Sequence, residues 1–124
     1  MIKIKPVGDA SLVNNYWKYK FMFCEDITLN IPLPWEIEVP PKIINFKLDF
    51  GISLETNDTF LILPHPNLGN LRMCFSPGII QPGRQRLIIE VDNNTSYPVK
   101  LYAGQEYVIL VTLNYEGILF EYIS

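Results

Sequence analysis

Apolar and polar residues alternate along much of this chain. Trp35, Ile37 and Val39 are interleaved with Glu36 and Glu38, and Phe46, Leu48 and Phe50 with Asn45, Lys47 and Asp49. A two-residue period puts one face of a strand on a core and the other in water. Two runs, residues 86–91 (Arg-Leu-Ile-Ile-Glu-Val) and 107–113 (Tyr-Val-Ile-Leu-Val-Thr-Leu), are more continuously apolar. They are expected to be strands covered on both faces, near the middle of the fold or at a subunit contact. Breakers separate these segments at short intervals: Pro32, Pro34, Pro40 and Pro41, then Pro64, Pro66, Pro77, Gly78, Pro82 and Gly83, then the turn residues 92–96 and Ala103-Gly104. Short strands between frequent turns predict an all-β sandwich or jelly-roll barrel. No stretch carries a helical stripe, and residues 9–19 supply one short turn at most. Residues 64–83 are expected to be the least regular. Their apolar members Leu68, Leu71, Met73 and Phe75 fit either a binding loop or a packed surface loop.

Composition narrows the class. The chain has 124 residues, 48% hydrophobic and 19% charged, which suits one globular domain over residues 1–124 with its own core. The formal charge of −3 and the lack of a basic stripe argue against binding along nucleic acid. No apolar stretch is long enough to span a bilayer and no signal peptide is evident, so the expected location is intracellular, without secretion or membrane association. Cys24 and Cys74 are the only cysteines. One bridge is available to them, but two small buried thiols in a reducing compartment is the preferred reading. One histidine and two distant cysteines give no zinc spacing, so neither metal nor cofactor is expected.

The order of the segments carries a resemblance. Glu25-Asp26-Ile27-Thr28 is followed by Ile37-Glu38-Val39-Pro40-Pro41 and then by Leu48-Asp49-Phe50-Gly51-Ile52-Ser53-Leu54-Glu55. Residues 92–111 follow later, with Asn93, Pro98, Leu101, Gly104, Leu110 and Val111 in register with a family pattern. Over roughly residues 19–113 the chain resembles the deoxyuridine triphosphatase (dUTPase) family in strand order and turn placement. The resemblance implies an all-β dUTPase-like jelly roll and a homotrimer with sites between subunits.

The catalytic motifs of that family do not carry over. Where the first motif has an aspartate, the chain has Lys20. The phosphate grip corresponds to Pro64-His65-Pro66-Asn67-Leu68, without its arginine and serine. Imidazole is a poor substitute for a bidentate guanidinium. The hairpin that would hold the catalytic carboxylate reads Gly78-Ile79-Ile80-Gln81-Pro82-Gly83-Arg84, with glutamine in place of the base and no tyrosine after it. The fourth motif reads Gly104-Gln105-Glu106-Tyr107-Val108-Ile109, and the glycine-rich arm is replaced by the apolar residues 115–124. Each such loss removes orders of magnitude in rate. The resemblance therefore implies a pseudoenzyme with no catalytic residues.

Non-catalytic viral relatives of dUTPase, one type from an adenovirus early region, use the fold to bind proteins. The expectation is a viral interaction protein with protein partners, acting in the host cytoplasm or nucleus. The ancestral pocket region supplies its candidate binding residues His65, Asn67, Gly78, Gln81 and Arg84. A nucleotide-sequestering module, with Arg72, Arg84 and Arg86 on phosphate, a residual dUTP pyrophosphatase and a virion structural jelly roll are the alternatives. Residues 118–123 would add to a neighbouring subunit or form an edge strand of their own. The end Glu121-Tyr122-Ile123-Ser124 lacks the hydrophobic last residue of a PDZ ligand.

Overall fold

A computed structural model of the chain describes residues 2–7, 24–25, 28–74, 78–112 and 120–122, with 24–25 and 120–122 described by backbone alone. Those residues are almost entirely β. The strands are β1 (Ile2–Pro6), β2 (Cys24–Glu25), β3 (Thr28–Pro32), β4 (Ile37–Val39), β5 (Ile43–Thr56), β6 (Phe60–Pro64), β7 (Arg72–Cys74), β8 (Ile79–Ile80), β9 (Gly83–Asn93), β10 (Val99–Leu101), β11 (Glu106–Thr112) and β12 (Phe120–Tyr122). The first sheet runs β12-β1-β5-β9-β7, the second β2-β3-β11-β6-β8, and β10 pairs β4 in a two-stranded ribbon. All pairs are antiparallel except β1 with β12.

The inner faces of the two sheets share one buried cluster. Ile2, Ile4, Phe50, Leu54, Leu87 and Ile89 enter it from the first sheet, and Leu29, Ile31, Ile62 and Leu110 from the second. The alternation in the sequence produces this arrangement. Lys3 and Lys5 point out of β1 where Ile2 and Ile4 point in, and Lys47 points out of β5 where Leu48 and Phe50 point in. Removing a leucine- or isoleucine-sized side chain from water stabilises a core by about 1.5–3 kcal/mol.

Strand β5 departs twice from regular pairing with β9. Between Ile43 and Phe46 it carries one residue more than its partner, and between Asp49 and Ser53 two more. Asn45, at φ 56°, accommodates the first bulge, and its N–H donates to Asp92 Oδ1 at 2.8 Å. Gly51, at φ 67°, accommodates the second. Its N–H donates to Asp49 Oδ1 and its carbonyl accepts from Val7 N. An even insertion preserves parity, so Ile52 and Leu54 still face the core.

One polar side chain is buried completely in this frame. Asn93 Nδ2 donates to the carbonyls of Pro40 (3.0 Å) and Tyr97 (2.9 Å) and, more distantly, of Val39 (3.4 Å). Its Oδ1 accepts from Thr95 N at 3.0 Å and Thr95 Oγ1 at 2.7 Å. The amide thus ties the end of β9 to the end of β4 and shapes the turn into β10.

Two expectations are corrected. Residues 86–91 are not covered on both faces: Leu87, Ile89 and Val91 are buried, but Ile88 is 38% exposed and Arg86 lies in solvent. The strand has neighbours on both sides, yet nothing among the described residues covers its outer face. Residues 64–83 are more regular than their prolines and glycines predict. They hold a 3₁₀ turn (Pro66–Leu68) and the strands β7 and β8, and Leu68, Leu71 and Met73 are core residues. Residues 107–112 lie in the central strand of the second sheet, but Ile109 and Val111 on its outer face are only half-buried, so there too the expected cover on both faces is incomplete. Residues 120–122 form an edge strand on β1 of the same chain. The short turn expected within residues 9–19, and the positions of Lys20 and Phe75, lie outside the described residues.

Replacing Asn93 by alanine strands the Pro40 carbonyl and the Thr95 N–H and leaves the Tyr97 carbonyl with Thr95 Oγ1 alone. The expected loss is about 3 kcal/mol, since each unsatisfied buried group costs roughly 1–3 kcal/mol. Urea unfolding of Asn93→Ala against the parent measures it, and a loss within experimental error would show that the amide is not a pin.

Candidate functional site

The five residues expected from the ancestral pocket fall into separate places. His65 and Asn67 follow the end of β6 and meet there. His65 Nδ1 accepts from Asn67 N at 3.0 Å, which caps the 3₁₀ turn, and His65 N donates to Tyr107 O. Asn67 Nδ2 donates to Glu106 O at 3.0 Å, and His65 Nε2 lies 3.8 Å from Glu106 Oε2. Gly78 and Gln81 flank β8, which pairs with the opposite end of β6 at Phe60 and Leu61. Their recorded bonds are backbone-directed: Gly78 O accepts from Ile62 N, and Gln81 O accepts from Gln85 Nε2. Arg84 belongs to the other sheet, where it pairs with Glu55 at 3.4 Å. Gly78 stands opposite Ile62, so three residues of β6, on the order of 10 Å at 3.3 Å per residue, separate it from His65.

Between these two groups lies a feature that the motif comparison did not single out. The outer face of the second sheet presents Leu61 and Leu63 from β6, Ile79 from β8, and Ile109 and Val111 from β11. The pairing register arranges them in adjacent rows, Asn30–Ile109–Leu63 and Thr28–Val111–Leu61–Ile79. Leu63 and Ile79 are each 39% exposed. From β3 to β8 no residue in either row is charged, and the second row ends on β2 at Glu25. The His65–Asn67–Glu106 group forms a polar rim at one end. A contiguous uncharged aliphatic face on an outer sheet surface is the usual mark of an interaction site.

Part of this face was legible in the apolar run 107–113. Its extension onto β6 was missed. The signal was residues 60–64 (Phe-Leu-Ile-Leu-Pro), where Leu61 and Leu63 stand at positions a solvated strand would make polar.

Residues 104–109 form a turn and the start of β11. Tyr107 is buried, and its hydroxyl accepts from Tyr102 N and donates to Gln105 Oε1, both at 2.8 Å. It closes the turn holding Gly104, whose φ is 91°. Burial pushes the phenol up from its ordinary value. Ile109 contributes to the aliphatic face. These side chains hold structure and apolar surface.

Among the described residues no three histidine, cysteine, aspartate or glutamate side chains gather as metal ligands. Cys74 is a free thiol whose Sγ lies 3.4 Å from Asn45 Oδ1 and 3.5 Å from Asp92 Oδ1. Burial raises its pKa most, followed by the hydrogen bond to Asp92 and the charges of Asp92 and Glu90. A raised thiol pKa leaves little thiolate at neutral pH, which is the opposite of a nucleophile's requirement. No protein-family model matches the chain, and no curated protein matches it.

Cys74 should therefore alkylate slowly with iodoacetamide at pH 7 and speed up only as pH rises past the ordinary thiol range. Asp92→Asn, which removes one raising charge, should accelerate it severalfold. Peptide mapping by mass separates Cys74 from Cys24, and rapid labelling at pH 7 would contradict the assignment.

Proposed function

We propose that this chain is a non-catalytic interaction protein on a dUTPase-like jelly roll, of the viral type that keeps the fold and works by protein contact. The uncharged aliphatic face across β8, β6 and β11 is the observation that carries the reading. Two antiparallel sheets around one core are compatible with the jelly roll. Lys20, Gln81 and Ile109 at the family's polar motif positions support the absence of turnover.

The first partner this face fits is a second copy of the chain. An aliphatic surface without charges offers no electrostatic selection among partners, and self-association is the arrangement the family resemblance implies. Burying such residues contributes about 25 cal/mol per Å². The polar rim at His65, Asn67 and Glu106 would bound the contact, as rims do in protein interfaces.

Sedimentation velocity over a micromolar to tens-of-micromolar range tests this. The parent should form an oligomer, and Leu63→Glu with Ile79→Lys should be a folded monomer with an unchanged melting curve. A parent that stays monomeric throughout, or a variant that still assembles, overturns the assignment of this face. Release of pyrophosphate from dUTP with Mg²⁺ would overturn the non-catalytic half on its own.

A further inference from the structure

The opposite outer face, on the first sheet, has a different chemistry. Residues from three strands form a small grid there. Lys3 on β1 faces Glu55 on β5, which faces Arg84 on β9. Lys5 faces Ser53, which faces Arg86. Four cations thus occupy the corners of a patch about 7 Å along the strands and 10 Å across them, by ordinary sheet spacings. A groove of about 390 Å³ lies over it, lined by Lys3, Lys5, Val7, Ser53, Glu55 and Arg84. A second hollow of about 210 Å³ touches Lys3, Glu55, Thr56 and Asn57.

The four cations differ in how they are held. Arg86 is clamped by Asp49, with Nη2 to Oδ2 at 2.7 Å and Nε to Oδ1 at 3.1 Å. Asp49 is itself fixed by the Gly51 N–H at the second bulge. Arg84 reaches Glu55 at 3.4 Å, with both side chains largely in solvent. Lys3 and Lys5 make no ion pair among the described residues, although the register also sets Glu121 of β12 opposite Lys3 on its other side. The groove therefore keeps a net positive charge in a chain whose formal charge is −3. A concave surface lined by one sign of charge concentrates counter-ions.

We propose that this groove binds a compact polyanion carrying two or three phosphate groups. Lys5 supplies the least compensated charge, Lys3, the Ser53 hydroxyl and the Arg84 guanidinium supply further donors, and Arg86, held by Asp49, bounds the site from outside the groove. The patch ends abruptly. Beyond Arg86 the outward positions of β9 are Ile88 and Glu90, and Asp49 lies beside them. Binding along nucleic acid needs a continued track of cations, so the patch favours one small ligand. Glu55, in the middle of the grid, opposes the anion and tunes the affinity downward. The site lies on the sheet opposite the aliphatic face and does not depend on it.

Thermal shift and calorimetry with inorganic triphosphate at constant ionic strength test the proposal. A ligand that binds only the folded chain raises its melting temperature. The parent should show a saturable rise. Lys3→Ala with Lys5→Ala, both exposed and so safe for folding, should weaken binding at least tenfold. Lys42→Ala with Lys100→Ala removes the same charge elsewhere and should leave binding unchanged. Glu55→Gln should tighten it severalfold. No rise in the parent, or equal losses in the two double variants, overturns the site. Lysine-dependent binding of a single-stranded oligonucleotide tighter than triphosphate overturns the compact-ligand class.

Discussion

The fold depends on a single buried amide more than on any other polar contact. Asn93 is the last residue of β9, in the middle of a chain reversal between sheet and ribbon. Without its five bonds the Pro40 carbonyl and the Thr95 N–H would lose their partners, and the Tyr97 carbonyl would keep only Thr95 Oγ1. A carboxylate of the same shape could not donate to those carbonyls, and a shorter side chain could not reach them. The pin also fixes register. Asn93 lies opposite Ile43, next to the bulge at Asn45, so the same point sets how β5 begins its run along β9.

From that point β5 acts as the shared wall of the molecule. Its inward residues Leu48, Phe50, Ile52 and Leu54 are core, and its outward residues carry the groove chemistry. The bulge at Gly51 serves both sides. It lets the strand bend without changing face, and it brings the Gly51 N–H onto the Asp49 carboxylate that orients Arg86. The two outer faces consequently differ. One is aliphatic and uncharged, the other polar with an excess of lysine, and a molecule built this way can meet two kinds of partner without their competing.

Local periodicity was readable; long-range placement was not. Lys47, Leu48 and Phe50 declare their faces by alternation, and the tyrosine-led run 107–113 declares a central strand by continuous hydrophobicity. Residues 64–83 misled because proline and glycine signal turns, while β7 is only three residues long and exists because Arg72, Met73 and Cys74 pair with distant β9. The run 86–91 misled because Ile88 makes it look apolar on both sides although that side chain faces outward. The basic grid was illegible for a stricter reason. Lys3 and Lys5 are far from Arg84 and Arg86 in sequence, and only β5 standing between them brings the pairs together. Order along the motifs failed similarly: His65 follows the end of β6, while Gly78 stands beside its middle at Ile62.

The parallel contact between β1 and β12 has a kinetic consequence. β1 lies between β5 and β12, so one of its edges is satisfied by a strand some fifty residues later and the other by residues near 120. During vectorial synthesis the second edge of β1 stays open, a row of free N–H and C=O groups beside Ile2 and Ile4, until residues 120–122 leave the ribosome. Closing so long a loop is entropically slow. The interval is the period in which another nascent chain could take the place of β12, and Lys3 and Lys5, repelling their counterparts on a second β1, would serve in that interval as a guard against strand exchange.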